Sequence, residues 1–197
     1  MGLHKAGFDV VGVDIAPQPQ FPFDFIQADA MDVDLRGFDF IWASPPCQAH
    51  SALRHLRPEK EYACFIAATR KKLQDYGGPW IIENVPGAPL KNYVQLCGSS
   101  FGLRVRRHRW FESELFFLVP QCRHDLQGRP IDVSGTGGRR INRRPDVHGG
   151  NTNKPRSIAE AREAIGIDWA SRCGISQAIP PAYSEFLGRQ VLAHIEA

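Results

Sequence analysis

The sequence lacks long hydrophobic runs and a cysteine framework. None of its apolar stretches exceeds a few residues in a chain of 197, so no transmembrane helix is predicted. Polar residues interrupt the first ten positions, so no secretory signal is predicted either. The five cysteines are odd in number and have no CxxC spacing, which favours free thiols in a reducing cytoplasm over disulfides.

Net charge is also small, at +3, but it is unevenly distributed. Residues 120–156 contain eight Lys and Arg against three Asp, together with six Gly and little periodicity. We expect a loop-rich, mobile insertion that contacts a polyanion. Its clustered arginines are Arg139, Arg140, Arg143 and Arg144.

Short apolar runs alternate with helical patterns along the rest of the chain. Strands are predicted at 10–14, 23–27, 38–43 and 80–82, and a hairpin-sized pair at 109–111 and 115–118. Helices are predicted at 59–76, after the capping box Ser157–Glu160, and after Pro180-Pro181. This order predicts an α/β domain with a largely parallel sheet.

The most informative stretch is Ser44-Pro45-Pro46-Cys47-Gln48, which directly follows the third strand. Two prolines can continue neither a strand nor a helix, so the chain is held in a stiff turn. Open α/β sheets bind ligands at the carboxyl ends of their strands. Cys47 is therefore a candidate nucleophile, and Glu83-Asn84 follow another buried strand in the same manner.

Four motifs occur in a fixed order: Ser44-Pro45-Pro46-Cys47-Gln48, Glu83-Asn84-Val85, Arg107-His108-Arg109 and Gln177-Ala178-Ile179-Pro180-Pro181. Together they closely resemble the cytosine-5 DNA methyltransferases, in particular the small methylases of bacteriophages. The resemblance covers nearly the whole chain. It implies a Rossmann-like, S-adenosylmethionine-dependent methyltransferase sheet at 1–119 and 157–197, and a short basic target-recognition segment at 120–156.

The resemblance also implies catalytic roles. Cys47 matches the nucleophile whose thiolate adds to C6 of cytosine and so activates C5. Glu83 matches the residue that acts on N3, with Asn84 in support, and Arg109 matches the arginine on the base O2. Arg107 fits a structural or backbone-contact role. One departure is Val105, which stands where the family has a glutamine.

The cofactor implied is S-adenosylmethionine. Asp14 ends the first strand, where nucleotide-binding folds place an acid on ribose hydroxyls. Ile15 would pack on the adenine, and Asp29 matches the acid on the adenine amino group. The remaining residues expected near the cofactor are Ser44, Pro45 and Gln177.

No metal is required for this reaction, and we expect none. Cys122 and His124, with His108 or His148, suggest zinc, but the spacing supplies only one pair of ligands. Cys97, Cys64 and Cys173 are expected to be ordinary structural thiols.

The start of the chain departs from the family. Residues 1–8 match the helix that follows the family's first strand and glycine-rich turn, so that strand and turn are missing here. Because the missing strand is central, its two neighbours are expected to have unpaired backbone. An upstream start, a truncated chain and a natural remnant all remain open explanations.

The partner expected is double-stranded DNA, bound by a cytoplasmic monomer in a bacterial or phage-infected cell, with no membrane association. Two alternatives remain open: a DNA-binding remnant that cannot hold the cofactor, and a methyltransferase acting on tRNA.

Overall fold

The computed structural model describes residues 1–50, 62–134 and 153–197 and shows strands alternating with helices. The elements in chain order are α1 (Gly2–Ala6), β1 (Val11–Asp14), β2 (Asp24–Gln27), β3 (Ile41–Ala43), α2 (Ile66–Tyr76), β4 (Trp80–Asn84), β5 (Val94–Leu96), a 3-10 helix (Gly98–Phe101), β6 (Arg109–Glu112), α3 (Ile158–Ile165), α4 (Arg172–Gln177) and α5 (Pro181–Ile195). The predicted α/β class is confirmed. No helix in the described ranges is long and apolar enough to cross a membrane.

The strands form two sheets. One pairs β1 with β2 in parallel, and the other has the order β3-β4-β6-β5. Strand β3 is parallel to β4, whereas β6 is antiparallel to both β4 and β5. The sheet is thus mixed rather than largely parallel, because β6 runs antiparallel to both of its neighbours. Among the described strands, β1 and β3 each have a partner on one side only.

The helix predicted at 59–76 is shorter in the structure. It begins at Ile66, residues 62–65 have no regular structure, and residues 59–61 lie outside the described ranges. No side chain caps its first turn, so the sequence has no capping residue to mark where the helix begins. The apolar spacing alone therefore placed the predicted start too early. It ends as predicted, with Gly77 in the left-handed conformation at φ 76°.

The hairpin predicted from residues 109–111 and 115–118 is wrong. The strand partners of β6 are β4 and β5, and residues 115–118 form no strand. The amide and carbonyl of Leu118 bond instead to the side chain of Gln190, at 3.0 and 3.2 Å. Because α5 supplies these hydrogen-bond partners, residues 115–118 do not need a neighbouring strand. Phe117 is buried and Phe116 is exposed, which explains the strand-like alternation in the sequence.

Helices α3 and α4 both begin at serine caps. The Ser157 hydroxyl accepts from the amide of Glu160 at 3.0 Å, as the capping box predicts. The Glu160 carboxylate accepts from the amide of Arg156, whereas in a capping box it would accept from the amide of Ser157. Helix α4 was not predicted, because it has six residues with a glycine among them; its cap is Ser171.

Helices cover both faces of the four-stranded sheet. One face of β4 contributes Ile81 to a cluster with Tyr183, Leu187 and Val191 of α5. The opposite face contributes Ile82 to a cluster with α2. Strand β4 is therefore buried along its whole length, and its last residues are held rigidly.

A third apolar cluster joins the basic segment to the body. Ile131 and Val133 are buried with Val105 and with residues of α3 and α4. The bridge between Ile131 and Asn153 brings the two described ends of the segment together. Its described part is therefore anchored in a core, although it has no regular secondary structure.

A buried ion pair connects α2 to β6. Glu112 is 3% exposed, and its carboxylate accepts hydrogen bonds from Arg70 Nε, from Arg70 Nη2 at 2.7 Å and from the Lys91 amide at 2.7 Å. We expect Arg70→Met to lower the free energy of unfolding by about 3 kcal/mol, because it leaves a buried carboxylate without its cation. Urea unfolding monitored by circular dichroism measures this effect.

Lys71→Met is the matched control on the same helix. Lys71 pairs with Asp75 on the surface, with both side chains more than half exposed. Its removal should change the free energy of unfolding by less than about 0.5 kcal/mol. Equal losses in the two variants would contradict the role assigned to the buried pair.

Candidate active site

Three chain segments meet at one edge of the four-stranded sheet. Because β3 and β4 are parallel, the turn after Ala43 lies beside the last residues of β4. Strand β6 runs the other way, with Trp110 opposite Asn84, so Arg109 also starts at this edge. The structure therefore brings the Cys47 turn, Glu83 and Arg109 into one region.

Asn84 connects the two strand ends. Its amide Nδ2 donates to the carbonyl of Pro45 at 2.9 Å, and its Oδ1 accepts from the Val85 amide at 3.0 Å. The residue is only 1% exposed, so these bonds are shielded from water. Half-buried Cys47 lies two residues after Pro45, and its carbonyl accepts from the His50 amide at 2.9 Å. The cysteine is thus presented on a turn fixed by β4.

Glu83 is a buried acid with a cationic partner. It is 7% exposed, and Arg109 Nε lies 3.0 Å from its Oε1. Burial raises the pKa of Glu83, while Arg109, the Ser44 hydroxyl and Arg107 oppose that rise. A carboxyl group with a raised pKa retains its proton to higher pH and can donate it to a ligand.

Arg107 fixes the approach to β6. Its Nε donates to the carbonyl of Ala178 at 2.6 Å, and its Nη2 donates to that of Ser176 at 2.8 Å. These two carbonyls flank Gln177, so Arg107 holds the end of α4 against the site. Burial, followed by repulsion from Arg109, lowers the pKa of Arg107 to about 10, which leaves it cationic at neutral pH.

Tyr183 supports Arg107 from α5. Its hydroxyl donates to the carbonyls of Arg106 and Arg107, at 3.2 and 3.1 Å. Arg107 has a φ of 38°, which is uncommon for a residue with a side chain, and these bonds help to hold it there. The sequence identified Tyr183 only as part of an apolar helix face.

The residues predicted to bind the cofactor lie at strand ends. Asp14 is the last residue of β1, and its two carboxylate oxygens accept from the Ala16 amide at 2.8 Å and from Gln18 Nε2 at 3.1 Å. Asp29 follows β2 and accepts from the Met31 amide at 2.8 Å. Ile15 is 70% exposed beside Asp14, which leaves an apolar surface open.

Ser44 and Pro45 follow β3 of the other sheet, and Gln177 is the last residue of α4. Trp42 Nε1 donates to the Ser44 hydroxyl at 3.2 Å. A cleft of about 270 Å³ lies between residues 18–21 and the segment from Ala170 to Pro181. It is lined by Gln18, which binds Asp14, and by Ala178, which follows Gln177. A larger cleft of about 580 Å³ contains none of the predicted site residues.

Comparison with known proteins identifies a similar structure. No protein-family model and no curated protein matches the chain. A crystal structure of a protein proposed to be a DNA modification methyltransferase, encoded within an Escherichia coli prophage, superposes with a TM-score of 0.61. The match covers 99% of this chain and 95% of the other, at 14% identity. The chain has a Rossmann-like methyltransferase fold.

Within the methyltransferase fold, Val105 is a core residue. It is 1% exposed and packs in the cluster that joins the basic segment to α3 and α4. The glutamine that the resemblance leads one to expect at position 105 is absent, but Gln127 reaches the same stretch of backbone. Its Nε2 donates to the carbonyls of Leu103 and Val105 at 2.8 and 3.1 Å.

The predicted DNA-contacting residues Arg139, Arg140, Arg143 and Arg144 lie outside the described residues. At the described base of the segment, Lys154 is paired with Asp132 at 2.6 Å. The Asp132 amide donates to the Asn153 carbonyl at 2.8 Å, so the two chain ends that bound residues 135–152 are adjacent.

Proposed function

We propose that this chain transfers a methyl group from S-adenosylmethionine to C5 of cytosine in double-stranded DNA. The observation that carries the proposal is the convergence of Cys47, Glu83 and Arg109 at one sheet edge. A thiol, a protonatable buried carboxyl group and a guanidinium are the groups that covalent activation of cytosine requires. The name of the E. coli prophage structure supports DNA modification as the class of reaction.

The proposed chemistry begins at Cys47, because C5 of cytosine is a poor nucleophile. The thiolate sulfur bonds to C6, the C5–C6 electron pair moves towards C5, and N3 takes a proton from the Glu83 carboxyl group. Arg109 would hold the base at O2 while keeping Glu83 in place. After methylation of C5, the C5 proton passes to solvent water, the S–C6 bond breaks to regenerate the thiolate, and N3 returns its proton to Glu83.

S-Adenosylmethionine, when bound, supplies the electrophilic methyl group. Asp14 would hold the ribose hydroxyls, Ile15 would pack on the adenine and Asp29 would accept from its amino group. The exposure of Ile15 and the position of the acids at parallel strand ends fit such a ligand. Ser44, Pro45 and Gln177 would border the methyl-donating end.

The DNA is proposed to contact the basic segment through its phosphates, with Arg139, Arg140, Arg143 and Arg144 as the contacting side chains. A cytosine inside the duplex cannot reach Cys47, so the target base would be flipped out of the stack. We propose that the chain acts as a cytoplasmic monomer.

Methyl transfer and its product test the function directly. The purified chain is incubated with S-adenosylmethionine carrying a labelled methyl group and with either duplex DNA or tRNA, and the nucleosides are then identified by mass spectrometry. We expect labelled 5-methyldeoxycytidine from DNA. Label on an adenine, on the exocyclic amine of cytosine, or in tRNA alone would contradict the proposal.

One observation favours the alternative of a DNA-binding protein that does not hold the cofactor. The two sheets share no strand pairing among the described residues, and the predicted cofactor residues are divided between them. Calorimetry with S-adenosylmethionine separates the two cases. Saturable binding at one site supports the enzyme, whereas DNA binding without cofactor binding supports the alternative.

A further inference from the structure

We propose that Cys97, His108, Cys122 and His124 form a zinc site beside the start of β6. Their ligand atoms all lie within 4.8 Å of one another. Two thiols and two imidazoles are a ligand set that structural zinc sites use, and soft thiolates disfavour calcium and magnesium. The proposal is independent of the methyl-transfer reaction, which needs no metal.

Two of the ligand separations are already close to those of a tetrahedral ion, and any separation near the 4.8 Å limit would contract by about 1 Å on binding. Cys97 Sγ lies 3.2 Å from His124 Nε2, and Cys122 Sγ lies 3.5 Å from His108 Nε2. Bonds of about 2.0–2.3 Å to a tetrahedral zinc require ligand–ligand separations of about 3.3–3.8 Å. The rings of His108 and His124 are 5.2 Å apart between centroids and inclined by 53°, so both Nε2 atoms can face one point.

Three segments supply the four ligands. Cys97 follows β5, and the next residue, Gly98, donates its amide to the Arg106 carbonyl at 2.7 Å. A Cβ on Gly98 would lie 2.0 Å from the Val105 carbonyl oxygen, so only glycine permits this approach. The Ser100 hydroxyl then donates to the Gln121 carbonyl at 2.7 Å, which brings the segment of Cys122 and His124 against the same turn.

Polar side chains surround the two sulfur atoms. The Ser99 hydroxyl lies 3.1 Å from Cys97 Sγ and also accepts from the Arg123 amide at 3.0 Å. The Gln95 side chain lies near Cys122, and its Oε1 accepts from Trp110 Nε1 at 2.9 Å. Such donors stabilise thiolate ligands and fix their positions.

The site would fix the part of the chain that carries Arg107 and Arg109. His108 lies between them, and its carbonyl accepts from Arg109 Nη1 at 2.8 Å. A metal bound to His108 would therefore restrict the strand start that places Arg109 against Glu83. We assign the metal a structural role, since four protein ligands leave no open coordination position.

Metal analysis of the purified chain tests the site. The protein is stripped with a chelator under a reducing agent, reloaded with zinc and desalted, and its metal content is measured by mass spectrometry. We expect about one zinc per chain, and a cobalt-loaded sample with the visible absorption of a tetrahedral ion bound to thiolates. Cys122→Ser should weaken zinc binding at least about 100-fold.

Cys173→Ser is the control, because Cys173 is an exposed cysteine on α4 outside the cluster. It should bind zinc like the parent chain, and zinc should raise the melting temperature of both but not that of Cys122→Ser. Failure of the reduced parent chain to take up zinc would overturn the proposal. So would equal zinc binding by Cys122→Ser, or a Cys97–Cys122 disulfide in a chain that takes up no metal after reduction.

Discussion

Cys47→Ser is expected to lower the rate of methyl transfer to DNA by at least about 10⁴-fold. Serine is close to cysteine in shape, but its hydroxyl is a far weaker nucleophile towards C6 of the base. The turn itself should survive, because Asn84 holds it through the backbone carbonyl of Pro45 and not through the cysteine. Single-turnover methylation with labelled cofactor measures the loss, and thermal unfolding and DNA-binding titrations test whether the fold and affinity are retained.

Cys64→Ser provides a matched control for that variant. Cys64 is exposed, and its sulfur lies 3.2 Å from His50 Nε2. This substitution should leave the methylation rate within about twofold of the parent chain, as expected for surface changes away from the chemistry. A Cys47→Ser variant that methylates at a normal rate would show that the reaction does not pass through a Cys47 adduct.

A base that cannot lose its C5 substituent tests the same step by another route. With S-adenosylmethionine present, DNA that carries 5-fluorocytosine in place of cytosine should be methylated at C5 and then remain bound to Cys47, because the fluorine cannot leave as the C5 proton does. We expect a complex between the chain and DNA that survives denaturing electrophoresis, and no such complex with Cys47→Ser. Trapping by both proteins would assign the covalent bond to another residue.

The positions of Cys47 and Glu83 at strand ends could be predicted because the sequence signals for them are local. Two prolines after an apolar run fix the turn that carries Cys47, and a buried strand ending in Glu83-Asn84 needs no distant partner to be recognised. The parallel pairing of β3 and β4 then brings these ends together. The antiparallel pairing of β6, which brings Arg109 to the same edge, was not predicted.

Long-range pairing accounts for most of what the sequence did not predict. Strand β5 has three residues and shows no distinctive pattern. The sequence therefore predicted residues 115–118, and not β5, as the partner of β6. Cys97 follows that unrecognised strand, and this is why its place beside His108 and His124 could not be anticipated. The spacing of Cys122 and His124 supplied half of the proposed ligand set.

Glu83→Gln is expected to lower methyl transfer by about 10³-fold, within the range for loss of a positioned acid. Glutamine keeps the shape and the hydrogen bond to Arg109 but cannot transfer a proton to N3. The alkaline fall in rate that accompanies ionisation of Glu83 should disappear from the pH profile of the variant. Glu114→Gln, at an exposed carboxylate after β6, should leave rate and profile unchanged.

The same substitution, Glu83→Gln, should raise the stability of the folded chain at neutral pH although it lowers the rate of methyl transfer. Burial raises the pKa of Glu83, so the folded chain binds this proton more tightly than the unfolded chain. Below about pH 4 the carboxyl group is protonated in both states and contributes no difference. As pH rises, ionisation becomes unfavourable in the folded chain alone, so Glu83→Gln should become more stable relative to the parent between about pH 4 and pH 7.

Urea unfolding at pH 4 and pH 7 measures that difference. A relative gain for Glu83→Gln at pH 7, together with lost activity, would mean that the chain maintains a costly buried carboxyl group at its reactive edge. A relative loss at pH 7 would instead mean that attraction to Arg109 outweighs burial. Glu83 would then be an ionised partner of Arg109 at neutral pH, and the proton for N3 would have to come from another group.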